Sequence, residues 1–273
     1  MTDTPATLSE IWIYPVKSLG GVKLNAAQVE ERGLQWDRNW LIVDENGIFL
    51  TQREHNRMAL IGVAVHAGGL EIFDKNNPQN CIQVPFDPVT DQEKSIKIWK
   101  DRLTACTVSD EADKWLSAQL QRKVQLVKLP ESSSRLSPPG LGSEQKRVSF
   151  ADDFPFLLIS EASLADLNSR LVHPVTMDRF RPNFVVAGTL PFEEDSWKNI
   201  SIGGINFEVV SPCERCVVVT VDQQTGHRSP EPLKTLAGYR RSDKKIRFGQ
   251  NVIGLGTGTV STGDSVLVIE ADR

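Results

Sequence analysis

The 273-residue chain carries 31 Lys or Arg against 35 Asp or Glu, a net charge of −4, with 40% hydrophobic and 24% charged residues. That balance supplies ample material for a globular core in a length suited to about two domains. It argues against bulk attraction to nucleic acid, and no stretch approaches the ~20 apolar residues of a membrane span.

Met1 to Glu10 has neither a basic region nor an apolar run, so no secretory or transit signal is expected. The first ~125 residues then read mainly as strands and turns, as judged by the β-branched and aromatic content of short runs. Ile11 to Tyr14 is such a run, closed by Pro15. Trp40 to Val43 leads into a hairpin turn at Asp44 to Gly47, and Ile48 to Leu50 resumes beyond it. Leu60 to Val65, Leu70 to Phe73 and Ile96 to Trp99 continue at spacings typical of a β-barrel or sandwich. Glu111 to Gln121 places Trp115, Leu116 and Leu120 at helical spacing. Lys128 to Lys146, rich in Ser, Pro and Gly, is a linker or a flap over a site. Phe156 to Ile159 is the next strand, and Ser160 is an N-cap for a helix through Leu171. Strands follow at Phe184 to Val186, Ile200 to Val210, Cys216 to Val221 and Ser265 to Ile269. The fold class is mainly β with some helix.

Cys213-Glu-Arg-Cys216 concentrates chemistry. A thiolate is a soft ligand and a nucleophile, and a neighbouring cation favours it. A structural zinc site needs four ligands, commonly as two paired motifs. Here Cys81 and Cys106 stand alone in the other half, and the four His lack paired spacing. A redox pair belongs at a helix start, whereas this one is read as opening a strand. Two inert buried cysteines are the plain alternative, and the motif by itself leaves that open. With so few cysteines no disulfide framework is expected, and a reducing cytoplasm is the expected setting.

Three further segments place cations and hydrogen-bond donors at element boundaries. Lys17 and Ser18 follow the first strand, Arg38 lies between Trp36 and Trp40, and Arg181 and Asn183 precede Phe184. Arginine and lysine with hydroxyl and amide donors suit a phosphate or an acidic cofactor. Each segment alone reads more simply as a surface cation, or as an Asp37–Arg38 pair in a solvated turn.

Taken in order, the motifs resemble a known family. Tyr14 to Ser18, Gly33 to Arg38 and Thr51 to Arg53 look like the β-barrel domain that precedes MOSC domains. Phe180 to Asn183, Cys213 to Cys216, Thr220 to Asp222 with Thr225-Gly226, Glu231 to Leu236 and Phe248 to Gln250 look like the MOSC domain itself. The resemblance implies an N-terminal MOSC-type β-barrel domain at 7–125 and a β-barrel MOSC domain at 126–270. Within the superfamily it is nearest to the amidoxime-reducing components and the bacterial reductases of N-hydroxylated bases. It implies a molybdenum–molybdopterin cofactor with Cys216 as the metal ligand and catalytic thiol. Lys17, Ser18, Arg38, Arg181 and Asn183 match positions that hold the pterin and its phosphate. Glu214 and Arg215 flank the ligand, and Cys213 is a structural neighbour. The implied activity is reduction of small N-hydroxylated substrates. Because the chain carries no ferredoxin-type cysteine run, its electrons are expected from a separate iron–sulfur or flavin protein. No protein general acid stands out; His227 is a weak candidate. Two alternatives remain: a cofactor carrier or sulfur-transfer protein using Cys216 as persulfide or anchor, and a β-rich structural or interaction protein with inert cysteines.

Overall fold

Apolar runs that are buried on both faces organise this chain. In Trp40–Asp44, Trp40 and Ile42 enter one core while Leu41 and Val43 enter another, so a single strand forms the wall between two apolar layers. The Phe184–Ala187 strand divides its residues the same way: Phe184 and Val186 face one cluster and Val185 faces another. The computed structural model describes residues 5–90 and 92–272; Met1 to Thr4, the start of the segment read above as free of a targeting signal, lie outside the described residues.

The largest sheet has nine strands drawn from both ends of the chain. From one edge it runs Val266–Ala271, Trp197–Ile202, Ile205–Glu214, Lys245–Gly254, Phe156–Ser160, Phe184–Ala187, Thr7–Ile13 and Val22–Leu24, with Arg241–Ser242 paired to Lys245–Gly254. Thr7–Ile13 pairs antiparallel with Phe184–Ala187, setting Ile11 against Phe184. A four-stranded sheet holds Trp40–Asp44, Val124–Lys128, Asp101–Thr107 and Glu93–Ile98. Ile61–His66, Gly69–Asp74 and Asn77–Pro85 form a third sheet, and Gly258–Ser261, Ala26–Glu30 and Gly33–Leu34 a fourth. The protein is mainly β, as expected, with short helices against the sheets, and among the described residues no helix is long and apolar enough to cross a membrane.

Helix α1, Asp110–Leu120, is capped by Ser109, which accepts from the Ala112 amide. Helix α2, Glu161–Ser169, has the expected cap at Ser160 but stops before Leu171. Asn168 exchanges hydrogen bonds with both backbone atoms of Val175, which turns the chain out of the helix early. Helix α3, Leu233–Tyr239, was not anticipated; Pro232 sits immediately before it. The expected strand over Cys216 to Val221 is also corrected. Glu214 ends the preceding strand, and Val217–Thr220 is a single 3₁₀ turn that sends Val219 into a core with Leu236 and Phe248. Packing there overrides the strand preference of three consecutive valines. The cysteine pair therefore closes a strand instead of opening one.

Candidate functional site

The ends of four elements meet around one cavity of about 810 Å³. Lys17 and Ser18 follow Thr7–Ile13, Arg38 precedes Trp40–Asp44, Arg181 and Asn183 precede Phe184–Ala187, and Glu214 to Cys216 leave Ile205–Glu214. All eight residues singled out in the sequence line this cavity. Reasoning from sequence missed Trp99, Asp152, Asp153, Lys245 and Arg247, which line it too, and gave Arg53 only a place in a motif. Seven Lys or Arg against three carboxylates make the lining cationic inside a protein of net charge −4.

Four lining residues adopt left-handed backbone: Ser18 at φ 69°, Arg38 at φ 52°, Trp99 at φ 53° and Arg181 at φ 56°. Such conformations are uncommon for non-glycine residues and cluster at functional sites, where surrounding structure enforces them. The Asp37–Arg38 pair is buried instead of lying in a solvated turn: Asp37 is 1% exposed, accepts from the Tyr14 amide at 2.7 Å and holds Arg38 Nη1 at 2.6 Å. Arg38 also donates to Asn183 Oδ1 and, through Nη2, to the Arg181 carbonyl. Despite the cost of burial, the Asp37 carboxylate holds Arg38 above its ordinary value. Arg181 differs. It donates to the Leu19 carbonyl at 2.7 Å, its Nη2 has no partner, and it makes no ion pair among the described residues. Burial pushes it down to about 10, with the Arg38 charge acting in the same direction.

Lys17 donates to the Phe150 carbonyl at 2.7 Å and to Asp152 Oδ1 at 2.5 Å. Burial pushes its ammonium below the usual lysine range, with Asp152 opposing. Partial desolvation at the cavity wall opposes it, yet Lys17 holds the Asp152 carboxyl well below the usual carboxylate range. Trp99 Nε1 donates to the same oxygen at 3.1 Å, and the Arg53 guanidinium lies 4.2 Å from the Trp99 ring.

The two thiols are not equivalent. Arg215 Nη1 donates to Cys213 Sγ at 3.0 Å while its Nη2 holds the Phe180 carbonyl. Burial pushes the Cys213 thiol up despite Arg215, which favours the neutral form. Cys216, at the head of the 3₁₀ turn, has no side-chain cap bond and no hydrogen bond to its sulfur among the described residues. All four cysteines are free, and among the described residues no cluster of three or more His, Cys, Asp or Glu could hold a metal by itself. A metal at Cys216 would have to bring most of its ligands with it.

The remaining assignments separate into lining and support. Asn183 is 1% exposed, and its amide is spent on Arg38, the Leu157 amide and the Trp12 carbonyl. Glu214 is exposed, with Lys245 Nζ 2.5 Å away. His227 is exposed on a turn outside the cavity lining. In the 128–147 segment, Pro138 and Leu141 reach the cavity, and the segment is pinned by Arg135, which donates to Asp101, Ser149, Ala151 and Asp152.

The chain matches the family model described as MOSC N-terminal beta barrel domain over residues 5–123 and the MOSC domain over residues 145–267. It belongs to the MOSC family, in the form that places the N-terminal barrel before the MOSC domain. It is 32% identical to mitochondrial amidoxime-reducing component 1 of Homo sapiens over 96% of this chain and 83% of that protein. It is 33% identical to the human mitochondrial amidoxime reducing component 2 over 88% of this chain and 74% of that protein. It is also 34% identical to a molybdenum cofactor sulfurase of Drosophila grimshawi over 89% of this chain but 31% of that longer protein.

Proposed function

We propose that this chain is a molybdenum-cofactor-dependent oxidoreductase that reduces N–O bonds of small N-hydroxylated substrates: N-hydroxylated purines, hydroxylamines and amidoximes. The names of the amidoxime-reducing relatives support the reaction class. One observation of this chain carries the reading: a thiol without a polar partner faces a cavity whose buried Arg181 has an unpartnered nitrogen. Those residues fit an anionic, metal-bearing cofactor.

In this reading the bound cofactor supplies two-electron chemistry, with two electrons and two protons converting R–NHOH to R–NH₂ and water. Cys216 is the protein's ligand to molybdenum, a soft thiolate for a metal whose other ligands come with the pterin. Lys17, Ser18, Arg38 and Arg181 hold the pterin and its phosphate, Arg181 with a free N–H to donate. Asn183 fixes Arg38 from behind. Arg215 holds Cys213 and the Phe180 carbonyl and so sets the turn that presents Cys216, with Glu214 beside it. Asp152, kept ionised by Lys17, stops that ammonium from swinging into the cavity when the phosphate is absent. Electrons come from a separate iron–sulfur or flavin protein, and the four free cysteines accord with a reducing cytoplasm.

Molybdenum and pterin content of the purified protein tests the reading, together with reduction of a hydroxylaminopurine by chemically reduced protein. Near-stoichiometric metal with turnover is expected. Cys216→Ser should abolish turnover and metal retention, while Cys213→Ser keeps much of both. Equal loss in both folded variants would sink the single-ligand assignment. The likeness to the sulfurases favours a second reading, a cofactor carrier or sulfur-transfer protein anchored at Cys216. Cofactor retained without turnover would select it.

A further inference from the structure

Tyr14 is fully buried, and its hydroxyl has no hydrogen-bond partner among the described residues. A buried phenol normally finds a partner, so an orphaned one signals that the ring is retained for something other than its oxygen. Two guanidinium groups lie against that ring: Arg181 Cζ at 4.1 Å from its centroid and Arg38 Cζ at 4.6 Å. The neighbouring backbone is shaped around it. A Cβ on Gly21 would fall 2.5 Å from Tyr14 Cε1 and 3.2 Å from the Trp12 ring, so only glycine leaves the ring its place. The Tyr14 amide donates to Asp37 Oδ1 and its carbonyl accepts from the Arg38 amide, which ties the Tyr14 backbone to the Asp37–Arg38 pair.

The two arginines need opposite treatment. Arg38 is neutralised by Asp37, whereas Arg181 has only a carbonyl and the ring. A carboxylate beside Arg181 would orient it but cancel the charge that an anion seeks. An aromatic face attracts a cation through its quadrupole without contributing a net charge. We propose that Tyr14 is the positioning residue of the anion seat, its ring holding the Arg181 guanidinium toward the cavity while leaving its charge uncompensated. The inference rests on Arg181 as an anion ligand but not on the identity of the metal.

The test uses the full chain produced in a host unable to make the pterin, titrated with inorganic phosphate by calorimetry. Tyr14→Phe keeps the ring and should bind phosphate within about twofold of wild type, with equal or higher thermal stability. Tyr14→Leu is apolar but smaller, removing the π face at the cost of a void, and should bind about tenfold more weakly, about 1.4 kcal/mol. Gly21→Ala, which displaces the ring without touching an arginine, should shift affinity in the same direction. Should Tyr14→Leu fail to fold, Tyr14→pentafluorophenylalanine keeps the shape of phenylalanine but inverts the polarity of its face, and is expected to lose affinity at an unchanged melting temperature. Equal affinity in the phenylalanine and pentafluorophenylalanine variants overturns the proposal. Absence of phosphate binding in the wild type overturns instead the reading of Arg181 on which it rests.

Discussion

Arg135→Met removes the guanidinium that ties the 128–147 segment to the cavity wall, while keeping most of the apolar stem. That side chain is 7% exposed and donates to Asp101 Oδ2 (2.9 Å) and to the carbonyls of Ser149 (2.7 Å), Ala151 (2.6 Å) and Asp152 (2.8 Å). Hydrogen bonds to a charged group contribute about 1.5–3 kcal/mol each, so a naive sum is large. The Asp101 side chain is 34% exposed and water can reach the wall, which discounts that sum. The expected loss is about 3 kcal/mol, near the low end for removing one partner of a buried charge. If the loss is confined to the segment, amide exchange over residues 131–147 and 149–153 should accelerate roughly 100-fold. If it is global, the melting temperature should fall by about 6–12 °C. Mass-resolved hydrogen exchange alongside a thermal melt separates the two. Because Asp152 carries both an Arg135 contact and the Lys17 contact, phosphate affinity should fall as well. Unchanged exchange in both segments with an unchanged melt would refute the latch, leaving the four hydrogen bonds energetically idle.

Asp152→Asn tests the Lys17 pair through pH. The depressed carboxyl contributes stability that is present above its unfolded value near 3.9 and lost as pH falls through the lower folded value. Wild type and variant should therefore differ by a constant amount, about 1 kcal/mol or less for so exposed a carboxylate, and converge only in strong acid; a gap that closes near pH 7 would contradict this. Cys213 should alkylate more slowly than a free thiol at neutral pH, because burial favours its protonated form; rapid, pH-independent labelling seen by peptide mapping would count against it. Glu194→Leu strips the acceptor from the Ser160 amide and from the Ser160 and Ser163 hydroxyls, all buried, and should destabilise by about 3 kcal/mol or more in chemical denaturation.

The candidate site was legible because its residues sit where extended runs end. Lys17, Ser18, Arg38, Arg181 and Asn183 each border a β-branched or aromatic run, and those borders converge. Asp152 and Asp153 were hidden behind a breaker-rich stretch that offers no period to read. Lys245 and Arg247 look like ordinary solvated charge; only the pairing of Glu214 with Arg247 brings them to the cavity. Local pattern also misjudged Val217 to Val219, since the demand of a distant core, not the preference of valine, bends the chain there. The difference between the two cysteines on geometric grounds depends on Arg215 folding back onto Cys213, which no spacing rule shows. Similarly, a buried Asp37 reads from sequence as any acidic turn residue.

The antiparallel union of Thr7–Ile13 with Phe184–Ala187 has a consequence for how the protein is made. Roughly 170 residues separate Ile11 from its partner Phe184. At about 5–20 residues per second, the ribosome needs on the order of ten to thirty seconds to deliver that partner. Throughout that interval the strand carrying Leu8, Ile11 and Ile13, all buried in the finished sheet, has Val22–Leu24 on one side but lacks the Phe184–Ala187 strand on the other. The cradle built from Lys17, Arg38 and Arg181 thus cannot assemble until about two thirds of the chain has been made, however early its first two residues emerge.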